Sequence, residues 1–210
     1  MQRKGQAELG AHFSGSGYDA QAAYAITTKV AVMANYSTIS LNPKGQTDQA
    51  GNNSLNAHNF GEIGAGLYKR ADSGWSKEIF FLAGVGKTTN QYTGIPPTVQ
   101  FNSANYNRFM AQADFGKIKK RFEFAFSPAL MVVYYYNLEN YQGYSRGTNL
   151  MANAAITMRF KIFKFLKFSS QFNTTAKLIG SAGDYKETSP FNLSIGLIGY
   201  MNFFRKPAVK

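Results

Sequence analysis

Apolar and polar residues alternate with a period of two over long stretches of this chain. The clearest stretch is residues 148–160, in which Leu150 and Ile156 lie on one face while Asn153 and Arg159 lie on the other. Successive side chains of a β-strand point to opposite sides, so this period predicts strands. Helical spacing does not fit the same segments.

The alternating segments predict ten β-strands in one domain, residues 1–210. They are 4–14, 17–27, 29–40, 58–70, 77–88, 105–116, 121–136, 148–161, 166–179 and 189–204. Most are longer than the usual strand of about 5–6 residues. Eight strands is the alternative count, because residues 78–86 are apolar on both faces toward the middle and the alternation is lost from Leu130 to Tyr136.

The connections between the predicted strands alternate in length. Four tight connections, mostly flanked by basic residues, lie at Thr27-Thr28, 71–76, 116–120 and 162–165. Longer polar connections lie between them at 41–57, 89–104, 137–147 and 180–188, whereas the first connection, at Gly15-Ser16, is short. This alternation predicts an up-and-down sheet with the tight turns and both termini at one end and the long loops at the other.

The distribution of charge decides which face of each strand points inward. The chain has 23 Lys and Arg against 11 Asp and Glu, a net charge of +12, yet only 16% of its residues are charged. The lysines are concentrated in turns, and the polar faces carry mainly Gly, Ala, Ser, Asn and Gln. A soluble barrel needs an outer face dense in charge, so the pattern favours apolar side chains outside and polar side chains inside. The predicted fold is all-β, a closed antiparallel up-and-down transmembrane β-barrel, with a soluble all-β protein as the alternative.

Aromatic residues near the strand ends agree with a membrane location, because aromatic side chains collect at membrane interfaces. We expect the girdle at the turn end to contain Trp75, Phe122, Phe160, Phe163, Phe168 and Phe203. We expect the girdle at the loop end to contain Tyr18, Tyr36, Tyr106, Tyr134, Tyr135 and Phe191.

Composition argues against several other kinds of protein and site. Clustering of the basic residues in turns argues against nucleic acid as a partner. With no Cys, the chain has neither a disulfide nor a thiolate metal site, and no run approaches the roughly 20 apolar residues of a membrane-spanning helix. Met1 is followed by Gln2-Arg3-Lys4, which is not the apolar core of a signal peptide, so we expect an export signal to have been removed or to lie outside this sequence.

Charged residues on the polar faces are the main candidates for a site. Those expected to face the barrel lumen are Glu8, Glu62, Glu78, Arg108, Asp114, Glu123, Arg159 and Lys177. Unpaired buried charge is costly, so we expect these groups to pair across a filled lumen and hold the barrel in register. The alternative is a charged constriction in a solute pathway.

Catalytic and ligand-binding motifs are sparse. His12, with Ser14 nearby, and His58 lie near predicted loop ends, where a grouping of Ser, His and an acid could act on lipid, but polar rim residues are the simpler interpretation. Residues 84–88 end like a phosphate-binding loop but lack its first Gly and a following helix. We therefore expect no catalytic residue, no cofactor and no metal site.

Tyrosines and one arginine mark the candidate partner-contact loop. It contains Tyr136, Tyr141, Tyr144 and Arg146, beside the loops at 41–57 and 89–104. Tyr and Arg are enriched at protein interfaces, although Tyr is equally expected at a membrane interface. The basic turns at the other end are either solvated or contact acidic phospholipid headgroups or an acidic partner.

Several segments resemble the small outer-membrane barrels of Bacteroidota. The resemblance lies in 5–10 (GQAELG), 18–25 (YDAQAAYA), 30–35 (VAVMAN), 60–68 (FGEIGAGLY) and 106–109 (YNRF), and it is best over the first 130 residues. It implies the same fold, an export signal ahead of this segment, sometimes of lipoprotein type, and a location in the outer membrane of a Gram-negative bacterium. Few members have an assigned activity, so the resemblance implies no chemistry.

The sequence as a whole predicts a non-enzymatic integral outer-membrane barrel, a structural or accessory subunit that presents extracellular loops to a partner. Its expected partners are outer-membrane lipids and another outer-membrane protein or complex, with the short turns and both termini in the periplasm. A narrow, porin-like diffusion channel is the alternative, and a lipid-modifying enzyme of the outer membrane is the third candidate.

Overall fold

The structure is an all-β barrel. The computed structural model describes residues 4–14, 17–41, 53–93, 99–140, 143–180 and 191–203. Ten strands lie within them: β1 (Gln6–Ser14), β2 (Gly17–Ala25), β3 (Val30–Leu41), β4 (Asn53–Arg70), β5 (Trp75–Thr93), β6 (Val99–Ile118), β7 (Phe122–Asn140), β8 (Gly143–Phe163), β9 (Leu166–Gly180) and β10 (Phe191–Asn202). The predicted count of ten is confirmed, and the alternative count of eight is wrong.

Each strand pairs in antiparallel fashion with its neighbours in the chain, and β1 pairs with β10 to close the sheet. In the closing ladder Gln6 lies opposite Asn202 and Ser14 lies opposite Ser194. Closure leaves no free strand edge in the described sheet, so the backbone hydrogen bonds are satisfied around the whole circumference. The predicted up-and-down topology is confirmed.

Apolar side chains cover the outside of this barrel. Along β8, Ile156, Met158 and Phe160 are exposed, whereas the intervening Ala155 and Thr157 are buried. The same alternation exposes large side chains on other strands, among them Leu9, Ile63, Phe81, Phe109, Leu130 and Ile195. The predicted assignment of the faces, apolar outside and polar inside, is confirmed. Among the residues that the structure describes, no helix is long and apolar enough to cross a membrane.

Strand lengths make one side of the barrel taller than the other. β1 and β2 have 9 residues each, whereas β8 has 21. The predicted connections at 89–104 and 137–147 are therefore wrong for the most part, because strands β5 to β8 occupy all but 94–98 and 141–142 of them. The strands continue past the stretches in which apolar and polar residues alternate along the sequence, so the pattern did not predict their full length. Likewise β4 begins at Asn53, inside the predicted 41–57 connection.

The opposite end of the barrel carries tight turns. They occupy 26–29, 71–74, 119–121 and 164–165, close to the predicted positions. In the first, the Thr27 hydroxyl oxygen accepts hydrogen bonds from the backbone N–H groups of Lys29 at 3.0 Å and Val30 at 2.9 Å. β1 begins and β10 ends at this same end.

The aromatic girdle at the turn end lies on the exterior as predicted. Its six members, Trp75, Phe122, Phe160, Phe163, Phe168 and Phe203, are all exposed. At the loop end Tyr18 and Tyr36 are exposed, but Tyr106 and Tyr135 are buried inside the barrel, so their predicted place in the girdle is wrong. Alternation along the strands explains the difference. Tyr106 lies two residues from the inward-facing Arg108, and Tyr135 lies two residues from the buried Val133, so both tyrosines point inward. The side chain of Phe191 lies outside the described residues.

Candidate functional site: the barrel lumen

An ion pair connects three strands in the loop half of the lumen. Arg108 on β6 places Nη2 2.8 Å from Glu62 Oε2 on β4. Asn35 on β3 donates a hydrogen bond of 2.8 Å from Nδ2 to Glu62 Oε1. The Arg108 guanidinium also lies 3.8 Å from the centroid of the Phe60 ring. Glu62 thus has a cation and an amide donor as partners, whereas Asn35 Oδ1 and Arg108 Nε are buried without a hydrogen-bond partner among the described residues.

Two glycines make room for the bulky side chains of the lumen, Gly84 for Glu62 and Phe60 and Gly86 for Tyr106. A Cβ atom on Gly84 would lie 2.6 Å from both Glu62 Cβ and Phe60 Cζ, and one on Gly86 would lie 2.2 Å from Tyr106 Cζ. Both glycines are in β5, which is a continuous strand. The phosphate-loop-like motif of the sequence is thus a strand with small residues where bulky neighbours need space.

Stacked aromatic rings fill the lumen beside the ion pair. The rings of Phe60 and Tyr106 lie parallel with centroids 5.7 Å apart, and His58 stacks on Tyr106 at 6.1 Å. His58 Nε2 and the Tyr106 hydroxyl form a hydrogen bond, and Tyr135 packs against Tyr106 at 5.9 Å. Phe60, Ala104, Tyr106, Met131, Val133, Tyr135 and Met151 form one buried cluster, which we call the aromatic plug.

A second set of charges lies in the turn half of the lumen. Arg159 Nη1 on β8 is 3.7 Å from Glu8 Oε2 on β1, and Gln6 donates a 2.9 Å hydrogen bond to Glu8 Oε1. Lys167 on β9 forms an ion pair with Glu123 on β7. These contacts connect strands on both sides of the β1–β10 closure.

Lys167 is a charged residue of the lumen that the sequence analysis missed. It falls in the predicted strand 166–179 but was not among the residues expected to face the lumen; as the second residue of β9 it turns inward, where it is 8% exposed. Its parity with the inward-facing Ser169 was a signal that could have identified it. Its Nζ also lies 4.1 Å from the centroid of the Tyr200 ring.

The remaining predicted lumen residues occupy different depths. Gln112 donates hydrogen bonds of 2.9 and 3.1 Å to the two carboxylate oxygens of Asp114. Asp114 and Glu78 line a central cavity of about 170 Å³. Lys177 lies opposite Met151 toward the loop end, and its side chain is exposed. Five of the eight predicted charges thus lie in the ion pairs described above, Glu78 and Asp114 line the cavity, and Lys177 lies toward the loop end.

The residues considered for catalysis, His12, Ser14 and His58, do not form a Ser, His and acid grouping among the contacts of the described residues. His12 is buried in the lumen, 7% exposed, so its predicted position as a polar rim residue is wrong; it lies opposite Asp19 in the β1–β2 ladder. The Ser14 hydroxyl donates a hydrogen bond of 3.4 Å to the backbone carbonyl of Gly17. Among the described residues, no group of three or more His, Asp or Glu side chains could hold a metal ion.

The candidate partner-contact loop is for the most part strand. Tyr136 stacks on Tyr134 with centroids 6.3 Å apart, just before Asn137, which has a φ of 53° and marks a bulge between β7 and β8. Arg146 lies in β8 with its side chain exposed. Tyr141 lies outside the described residues, as does the side chain of Tyr144.

A closed barrel with an apolar exterior and an ion-paired interior is a membrane-spanning β-barrel, because only lipid can cover so much exposed apolar surface. No protein-family model and no curated protein matches the chain. Among solved structures, CarO of Acinetobacter baumannii is similar at 10% identity and a TM-score of 0.35, covering 94% of this chain and 98% of that one. OmpT, an outer membrane protein of Vibrio cholerae, is similar at 8% identity and a TM-score of 0.30, covering 94% and 96%.

Proposed function

We propose that the protein is a non-enzymatic structural or accessory subunit of a bacterial outer membrane, with a filled lumen and a loop end that contacts a partner protein. The observation that carries this proposal is the aromatic plug, which together with the Glu62–Arg108 pair occupies the loop half of the lumen. A small barrel has an interior that side chains almost fill, so such packing favours a structural core over a pathway.

A narrow diffusion channel is the second candidate. The central cavity of about 170 Å³ favours it, since four carboxylates and two cations line open space there. The plug lies between that cavity and the loop end, so a solute pathway would require the stacked rings to move. Conductance therefore separates the two candidates.

The outer-membrane location and the orientation belong to the proposal as well. Outer-membrane barrels have short periplasmic turns and longer external loops, and the resemblance to barrels of Bacteroidota agrees with that membrane. We therefore place the tight turns in the periplasm and the β7–β8 hairpin outside.

Because the chain has no Cys, single cysteines can report this orientation. Arg146→Cys should react with a membrane-impermeant maleimide on intact cells, whereas Lys164→Cys should react only after the outer membrane is permeabilised. Labelling of Lys164→Cys alone on intact cells would reverse the orientation.

The tall side of the barrel is our candidate surface for the partner. Strands β5 to β8 reach beyond the apolar band there, and they carry the Tyr134–Tyr136 stack and the exposed Arg146. Tyr and Arg supply much of the energy of protein interfaces because they bury large contact areas.

A photoreactive amino acid at Tyr136 or Arg146 should cross-link the barrel to one protein in native cells. The matched control is Tyr18, which is exposed near the loop end of the short strand β2. Equal cross-linking from Tyr18, or none from the other two positions, would contradict a partner surface on the tall side.

A further inference from the structure

The turn end of the barrel opens into a basic vestibule. This vestibule has a volume of about 370 Å³, and seven of the side chains that line it are cationic. They come from three neighbouring turns and the strand ends beside them: Arg70, residues 119–121, Lys161, Lys164 and Lys167. Segments far apart in the sequence thus converge on one opening.

The wall of the vestibule does not balance this charge. Among the described residues that line it, Glu123 is the one carboxylate, and it is paired with Lys167. The other lining groups, such as Gln6, Tyr200 and Asn202, are uncharged. Like charges held around a partly enclosed space create a positive potential that draws in anions.

We infer that the basic vestibule is a binding site for a phosphate-bearing anion. A phosphate group presents several oxygen acceptors and more than one negative charge, so it can satisfy several lysines and arginines at once. Such a group can contact the buried Lys167 at the inner end of the vestibule and the exposed cations of the turns at its opening. A single carboxylate would neutralise far less of the converging charge.

Two sources of phosphate can reach this position. The vestibule lies at the same end as the exposed, stacked rings of Phe163 and Phe165, which mark the membrane interface. A phospholipid headgroup could therefore enter from the membrane, and a free phosphate compound could enter from the solution. The chemistry of recognition is the same for both.

The test measures pyrophosphate binding by calorimetry at low ionic strength, with the full chain in maltoside micelles that contain no phosphate. The vestibule variant is Lys119→Gln with Lys120→Gln and Lys164→Gln. The control variant removes the same charge from exposed turn-end lysines outside the vestibule, as Lys29→Gln with Lys69→Gln and Lys77→Gln. Circular dichroism checks that both variants retain the barrel.

We expect saturable binding to the native chain, about tenfold or more weaker binding to the vestibule variant and a change of less than about twofold in the control. Adding phosphatidylglycerol to the micelles distinguishes the sources, since it weakens pyrophosphate binding if the site takes a headgroup and leaves it unchanged if the site takes free phosphate. Absence of saturable binding, equal weakening in both variants, or tighter binding of tetra-aspartate than of pyrophosphate would overturn the inference.

Discussion

At the residue scale, stability of the lumen depends on charges that are satisfied by specific partners. Glu62 is 5% exposed and contacts Arg108 and Asn35, so three strands share one buried carboxylate. Removing one member leaves the other charge in a confined space without its partner, which costs more than the pair itself contributes.

Arg108→Ala should therefore lower the free energy of unfolding by about 3–5 kcal/mol, the loss typical of a broken buried pair. Lys177→Ala is the control, because Lys177 lies opposite the inward-facing Met151 but has an exposed side chain. This substitution should change the free energy of unfolding by less than about 1 kcal/mol. Urea unfolding in lipid vesicles measures both. Equal losses in the two variants would show that the Glu62–Arg108 pair has no special role.

Alternation along each strand predicted which charged side chains face inward, but it did not predict which of them form ion pairs with each other. Glu123 lies directly opposite Arg159 in the β7–β8 ladder, yet its ion pair is with Lys167. Arg159 contacts Glu8 on the far side of the closure instead. Side-chain reach across the lumen depends on the stagger of all ten strands, which a single strand's pattern does not contain.

At the scale of elements, alternation predicted the strands wherever one face meets lipid and the other meets the lumen. Outside that band the pattern fails, which is why the ends of β5 to β8 were predicted as loops. Tyr106 and Tyr135 illustrate the same limit, because an aromatic residue near a strand end fits both an interface girdle and a packed interior. The ring partners of Tyr106, His58 and Phe60, come from a strand distant in the sequence, and Tyr135 packs on Tyr106.

Adjacent residues of β2 test the two faces at one depth. Ala20 is exposed on the outside, whereas Gln21 lines the central cavity with Glu8 and Asp114. Ala20→Arg should cost about 2–4 kcal/mol of folding free energy near the midplane, because lipid does not solvate the guanidinium.

Gln21→Arg should cost much less, since carboxylates line the space that it would enter. A folding titration into vesicles measures both variants. If the two substitutions had the same effect, the assignment of the outward face of β2 would be wrong.

At the scale of the whole molecule, the barrel combines a closed wall with an interior divided into layers. The aromatic plug lies in the loop half, ion pairs and the central cavity occupy the middle, and the basic vestibule opens at the turn end. A barrel of ten strands is slightly wider than a barrel of about eight, whose interior side chains can fill. This difference explains why a cavity lies below the plug. The central claim of the proposed function is that the plug closes the lumen.

Single-channel recording in planar bilayers tests this claim most directly. The native barrel should show no steady conductance, whereas Phe60→Ala with Tyr106→Ala and Tyr135→Ala removes the stacked rings and should open a steady path through the cavity. Steady conductance of the native barrel, with an ion selectivity that shifts on Arg108→Ala, would contradict the account and identify the protein as a channel.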